Sequence, residues 1–124
     1  MPRPLALDPA SVCYAPMKTG GSDEDMTTED RLLGGRVRLR QSRDGYRAAI
    51  DPVLLAAAVD VREGASVLDA GSGAGAVSLC LLARRPDLRL TGIEVDGKAC
   101  ALAEANAAMN GVGDRLHIRC GSLG

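Results

Sequence analysis

VLDAGSGAG, residues 67–75, sets three glycines within five residues directly behind an apolar run, with a single aspartate at position 69. Residues 65–70 are apolar apart from Ser66 and Asp69, the composition of a buried strand. Glycines at 71, 73 and 75 give a tight turn, and AVSLCLLARR (76–85) continues as a helix closed by Pro86. Residues 88–94 (LRLTGIE) form a second strand, after which Asp96 caps an alanine-rich helix ending near Asn110 and Gly111. RLHIRC (115–120) alternates Leu116, Ile118 and Cys120 against Arg115, His117 and Arg119, a third strand with one face or edge near water. The pattern is β-α-β-α-β. Right-handed crossovers make it a parallel sheet in order 3-2-1, half of a doubly wound α/β fold. That order leaves the first strand at an open edge, where a fourth strand is expected.

Upstream, the residues divide by charge. Positions 23–30 hold five acids and no base, whereas positions 31–47 hold six arginines and one aspartate. Arg36, Arg38 and Arg40 alternate with Val37 and Leu39, a period-two strand, and SRDG (42–45) is a turn signal. Residues 46–50 are expected to return as the second arm of a hairpin. Asp51 and Pro52 then read as the N-cap and first residue of a short helix through VLLAAAV, ending before REGA. Residues 1–30 read as a disordered leader, 31–62 as hairpin and short helix, and 63–124 as a partial ligand-binding domain. Met26 is an alternative start.

The chain of 124 residues is one domain or part of one, and without Phe or Trp its core must be Leu, Val, Ile and Ala. A net charge of −1 carries no general argument for nucleic-acid binding. Cys13, Cys80, Cys100 and Cys120 form no metal-type spacing, and the last three read as small reduced core residues. His117 alternates onto the polar side of an outer strand, a surface position, and no metal is expected. No stretch approaches the ~18 apolar residues of a membrane span, and the proline-broken N-terminus is a poor signal peptide. The cytoplasm is the expected location.

Gly71, Gly73 and Ala76 satisfy the dinucleotide pattern G-x-G-x-x-[GA]. Asp69 argues against that ligand. At about 5 Å and an effective dielectric near 20, a carboxylate and a pyrophosphate charge repel by roughly 3 kcal/mol. S-adenosylmethionine has no phosphate and carries a sulfonium and an ammonium, which suit an acid beside the turn. Glu94, ending the second strand, is placed to accept hydrogen bonds from ribose hydroxyls. NAD proteins use the same device, so Glu94 does not separate the two ligands.

VLDAGSGAG with TGIEVD resembles the first two cofactor motifs of class I S-adenosylmethionine-dependent methyltransferases. LLGGRVRLRQSRDGYRAAIDPVLLAAAV (32–59) resembles the N-terminal block of the bacterial tRNA1(Val) (adenine-37-N6)-methyltransferase family. The resemblance implies a Rossmann-like methyltransferase fold preceded by a β-hairpin, of which this chain holds the N-terminal half. It also implies that Asp69, Gly71, Gly73 and Gly75 line the methionine portion of S-adenosylmethionine and that Glu94 holds its ribose. Tyr46, Arg47 and Asp51 would close the pocket. Arg36, Arg38 and Arg40, with Arg43 and Arg47 nearby, would lie along RNA, the expected partner; a solvated hairpin face is the alternative.

Two departures from the family pattern stand out. Gly121-Ser122 replaces the Gly-Asp that follows the third strand, and the catalytic Asn-Pro-Pro-Tyr motif is absent, so no catalytic residue is assigned. The chain thus reads as a methyltransferase truncated before its catalytic motif and inactive alone. The alternatives are a non-catalytic cofactor-binding remnant or interrupted reading frame, and a fragment of an NAD-binding protein.

Overall fold

The computed structural model describes residues 26–43 and 50–122. It contains an antiparallel hairpin, β1 (Thr27–Leu32) and β2 (Val37–Ser42), and the short helix α1 (Asp51–Ala58). The alternating unit follows as β3 (Ser66–Ala70), α2 (Ala76–Arg84), β4 (Arg89–Glu94), α3 (Gly97–Met109) and β5 (Leu116–Cys120). The last three strands form a parallel sheet in the order β3-β4-β5, with Asp69 opposite Gly92 and Glu94 opposite Cys120. This is the 3-2-1 arrangement expected from the sequence, with β3 at one edge.

The hairpin differs from expectation. Its turn is made at positions 33–36, where Leu33, Gly34 and Gly35 have φ of 53°, 64° and 91°. The two glycines enter the left-handed region without a Cβ penalty, whereas Leu33 is strained there. β2 therefore pairs backward with β1, in register from Thr27↔Ser42 to Leu32↔Val37. Residues 44–49 lie outside those described. Strand structure thus begins at Thr27, inside the stretch expected to be a leader. The pairing accounts for the charge division along the sequence. Arg38 Nε and Nη2 donate to the two carboxylate oxygens of Glu29 at 2.9 and 3.1 Å, and Gln41 Nε2 donates to Asp30 Oδ2 at 2.9 Å.

The helix after the hairpin starts one residue earlier than expected. Ile50 occupies the cap position without a side-chain bond, and Asp51 is already helical. Pro52 tolerates this place because first-turn N–H groups have no intrahelical acceptor. At its other end, Arg84 Nη1 donates to Ala56 O at 2.9 Å. α2 is the centre of the fold, with residues 76–82 all buried. β2 contributes Val37 and Leu39 to the core around α2, the sheet contributes Val67, Leu90 and Leu116, and α1 contributes Ala56. Burial along β3 alternates, with Leu68 and Ala70 half-buried on the face away from Val67 and Asp69, so the strand is not enclosed on both sides.

α3 starts as its sequence predicts, with Asp96 Oδ1 accepting from Lys98 N–H at 3.1 Å. It holds the hairpin by an arrangement not anticipated. Asn106 Oδ1 accepts from Arg40 N–H at 2.8 Å, and its Nδ2 donates to Arg40 O at 3.0 Å. One turn on, Asn110 repeats the contact with Arg38 N–H and O at 2.9 and 2.6 Å. Two side-chain amides at i, i+4 thus bond the outer edge of β2 as a neighbouring strand would.

Candidate functional site

The turn between β3 and α2 is built on internal hydrogen bonds. Gly71 and Ser72 N–H both donate to Ile93 O, at 2.7 and 3.0 Å, and Gly75 N–H donates to Ser72 O at 2.9 Å. Gly73 N–H donates to Glu94 Oε1 at 2.8 Å. Gly71, Gly73 and Gly75 have φ of 73°, 56° and 93°, a sequence of left-handed residues that side chains resist. Gly75 also brings the start of α2 against α3, since a Cβ there would lie 3.7 Å from Ala103 Cβ.

Two carboxylates lie beneath this turn. Glu94, 1% exposed, accepts from Gly73 N–H and, through Oε2, from Asp96 N–H at 2.9 Å. It therefore pins the glycine turn to the start of α3. Asp69 is also 1% exposed, and its Oδ2 accepts from Ser78 Oγ of α2 at 2.7 Å. With the N–H groups of Gly71, Ser72, Gly73 and Gly75 engaged and two carboxylates at its base, the turn suits a ligand without phosphate.

Close packing tightens the same place. Ser72 is buried, and its Oγ has no hydrogen-bond partner. A Cβ at Gly92 would fall 2.8 Å from that oxygen, 2.9 Å from Ser72 Cβ and 3.1 Å from Ile118 Cδ1. The central strand thus needs glycine where the turn's serine descends onto it. Asn106 joins this region to the hairpin, because its Nδ2 also donates to Ala74 O at 2.9 Å.

The sequence-derived site residues are partly assembled here. Asp69, Gly71, Gly73, Gly75 and Glu94 converge on one turn. Asp51 is exposed in the first turn of α1, and Tyr46 and Arg47 lie outside the described residues. Ser72, Ser78, Gly92 and Asn106 escaped the sequence reading. Only Asn106 carried a usable signal, as one of two amides at helical spacing in an alanine-rich segment.

Of the hairpin arginines, Arg38 is held by Glu29, and Arg36 Nη2 donates to Ala83 O at 2.6 Å. Arg40 is exposed, as is His117. Cys80 and Cys100 are buried as expected, but Cys120, the last residue of β5, is exposed. Burial pushes the Cys80 thiol up to about 11, consistent with an unreactive core residue. Among the described residues, no group of three or more His, Cys, Asp or Glu is placed to hold a metal ion, and no helix is long and apolar enough to cross a membrane.

The profile of the methyltransferase small domain family matches residues 48–122. A tRNA1(Val) (adenine(37)-N6)-methyltransferase of Yersinia enterocolitica is 32% identical over 101 residues, covering 77% of this chain and 40% of that protein. A release factor glutamine methyltransferase of Cereibacter sphaeroides is 37% identical over 90 residues, covering 73% of this chain and 32% of that protein. A solved S-adenosylmethionine-dependent methyltransferase from Geobacter sulfurreducens, in complex with S-adenosyl-L-homocysteine, superposes with a TM-score of 0.50. It is 35% identical, and the match covers 59% of this chain and 29% of that one. The chain spans two fifths or less of the length of these relatives. With the turn and both carboxylates lying inside the matched residues, the chain belongs to the methyltransferase small domain family.

Proposed function

We propose that this chain is the cofactor-binding part of an S-adenosylmethionine-dependent methyltransferase acting on tRNA adenine N6. One observation carries the cofactor reading: Gly71, Ser72, Gly73 and Gly75 all spend their N–H groups on acceptors within the protein, one of them on Glu94. A dinucleotide site directs such amides at the pyrophosphate. Here they are engaged, with two carboxylates beneath. The residues fit a cationic nucleoside. Gly71, Gly73 and Gly75 would let it approach the backbone, Asp69 would favour its positive charge, and Glu94 would be its ribose acceptor. Tyr46, Arg47 and Asp51 would close over it. When bound, S-adenosylmethionine supplies an electrophilic methyl group on its sulfonium.

The 124 residues contain no Asn-Pro-Pro-Tyr motif, so this polypeptide is proposed to bind cofactor without transferring the methyl group. Orientation of the acceptor amine, which dominates such a displacement, would come from residues carrying that motif. RNA is the favoured substrate because the hairpin's polar face carries Arg38 and Arg40, with Arg36 at the preceding turn, and the exposed Glu29–Arg38 pair is of the kind that phosphate can displace. The cytoplasm, where tRNA is modified, is the proposed location.

Isothermal titration of the chain with S-adenosylhomocysteine and with NADH tests the cofactor reading. Saturable binding of the first alone is expected; binding of NADH alone overturns it. For the substrate, replacing Arg36, Arg38 and Arg40 together by alanine is expected to weaken tRNA binding and flatten its salt dependence. An unchanged salt slope would remove the hairpin from the RNA interface.

A further inference from the structure

Two cysteines far apart in function-neutral positions of the sequence meet beside Glu94. Glu94 lies opposite Cys120 in the β4–β5 ladder, and Gly121 N–H donates to Glu94 O at 2.8 Å. From α3, the Cys100 thiol donates to the same carbonyl at 3.3 Å. Both cysteines thus lie against the Glu94 backbone, one on the facing strand and one on the helix that follows it. Both are free, Cys100 buried and Cys120 exposed. Cys80, sealed within α2, belongs to no such arrangement. The pair therefore brings an accessible cysteine and a shielded one to the same residue, at the strand end that carries the proposed ribose acceptor.

We propose that Cys100 and Cys120 are a peroxide-responsive dithiol whose closure to a disulfide regulates the adjoining cofactor site. The Cys120 thiolate attacks one oxygen of a hydroperoxide and breaks the O–O bond, giving a sulfenic acid and hydroxide. The Cys100 sulfur then displaces hydroxide from the Cys120 sulfur. The sulfurs are oxidised by two electrons in total, hydrogen peroxide is reduced, and the two thiol protons leave in two molecules of water. Burial, and secondarily the neighbouring Cys120, hold the Cys100 thiol up at about 12, so the exposed partner reacts first.

An S–S bond of about 2.05 Å draws the Cys100 sulfur off the Glu94 carbonyl and ties the first turns of α3 to the end of β5. Glu94 and Asp96 lie between those anchors. The regulatory half rests on the cofactor reading; the dithiol does not.

The test is oxidation of the reduced full chain by equimolar hydrogen peroxide, followed by alkylation and tryptic mapping. Peptides 99–115 and 120–124 are expected joined, and Cys120→Ser is expected to abolish the link. Alkylation of both cysteines after peroxide, or a link from Cys120 to Cys13 or to another chain, would overturn the dithiol. Titration with S-adenosylhomocysteine is expected to show at least tenfold weaker binding after oxidation, reversed by dithiothreitol and absent in Cys120→Ser. Unchanged affinity with the link in place would overturn regulation. Failure of the reduced chain to bind would instead count against the cofactor reading, and the peptide map would still decide the dithiol.

Discussion

Gly92 concentrates the packing problem of this site in one hydrogen atom. It faces Ser72 across a gap that a methyl group would reduce to 2.8 Å, with Ile118 on the other side at 3.1 Å. Ser72 cannot retreat easily, because the glycines on either side hold it in a turn fixed by the N–H bonds of residues 71 and 72 to Ile93 O. Gly92→Ala is therefore expected to cost about 1–3 kcal/mol, the usual range for overpacking, read from urea midpoints at constant m-value. Ser72→Gly in the same chain is expected to recover most of that loss through a favourable coupling term. If the two substitutions simply add, the steric account of Gly92 fails.

Glu94 rewards a similar reading at the level of single atoms. Its two oxygens accept from two different backbone amides, at Gly73 and Asp96. Glutamine keeps one acceptor and turns an NH2 group toward the other amide. Glu94→Gln is expected to destabilise the fold by roughly 1–3 kcal/mol, the cost of a buried donor without a partner. It is also expected to reduce S-adenosylhomocysteine affinity. A variant with wild-type stability would show that the pin between turn and helix carries no weight.

Among the elements, α3 does more than cross between strands. Asn106 and Asn110 give the outer edge of β2 acceptors and donors that would otherwise be sought from another strand. Asn106 also holds Ala74 O, so the hairpin and the glycine turn share one side chain. Asn106→Asp keeps the size and the acceptor but removes both donated bonds. We expect faster hydrogen exchange along the β1–β2 ladder, together with a stability loss of about 2–4 kcal/mol from two unpartnered carbonyls. Exchange that rises uniformly over the whole chain, rather than in the hairpin, would contradict docking through this residue.

The elements also show which parts of the structure were readable. The parallel unit was legible because its strands and helices differ in hydrophobic period and because Gly75, Asp96 and Gly111 mark the helix ends they were expected to mark. β1 was not. Of its six residues only Leu32 is buried, so nothing apolar announces it, and its pairing rests on β2's charges and on the glycine turn at 34–35. A local turn signal at 42–45 competed with that turn and, read from sequence, prevailed. The site was legible in its glycines and acids, which are chemically distinctive. Ser78 and Gly92 were not, because each is set by a neighbour distant in sequence, Asp69 and Ser72 respectively.

At the scale of the whole molecule, the strand ends that carry the glycine turn are supported from the opposite end of the sheet. There the link from α1 to β3 meets the link from α2 to β4. Arg85 donates to Val61 O and Arg62 O at 3.1 and 3.2 Å, and its guanidinium grips both oxygens of Asp87 at 2.9–3.0 Å. Asp87 Oδ2 in turn accepts from Gly64 N–H at 2.7 Å. Three backbone contacts thereby join the two connections, and the ion pair within one of them holds together the two side chains that make those contacts. The Arg85 guanidinium, followed by the Gly64 N–H, holds the Asp87 carboxyl well below its ordinary value of 3.8.

A carboxyl depressed on folding contributes stability above its unfolded value and loses it as pH falls through the folded value. The wild-type chain is therefore expected to exceed Asp87→Asn by a constant margin above about pH 5, with the margin shrinking as acid protonates Asp87. The pair is exposed to solvent, so the margin is expected to be modest and to contract in added salt. Urea midpoints of both chains at pH 7, 5, 4 and 3 check this. A margin that stays level into acid, or grows there, would mean that the charge on Asp87 does not support the contacts between the two links, and that the Gly64 bond and the two Arg85 bonds hold the base of the sheet without it.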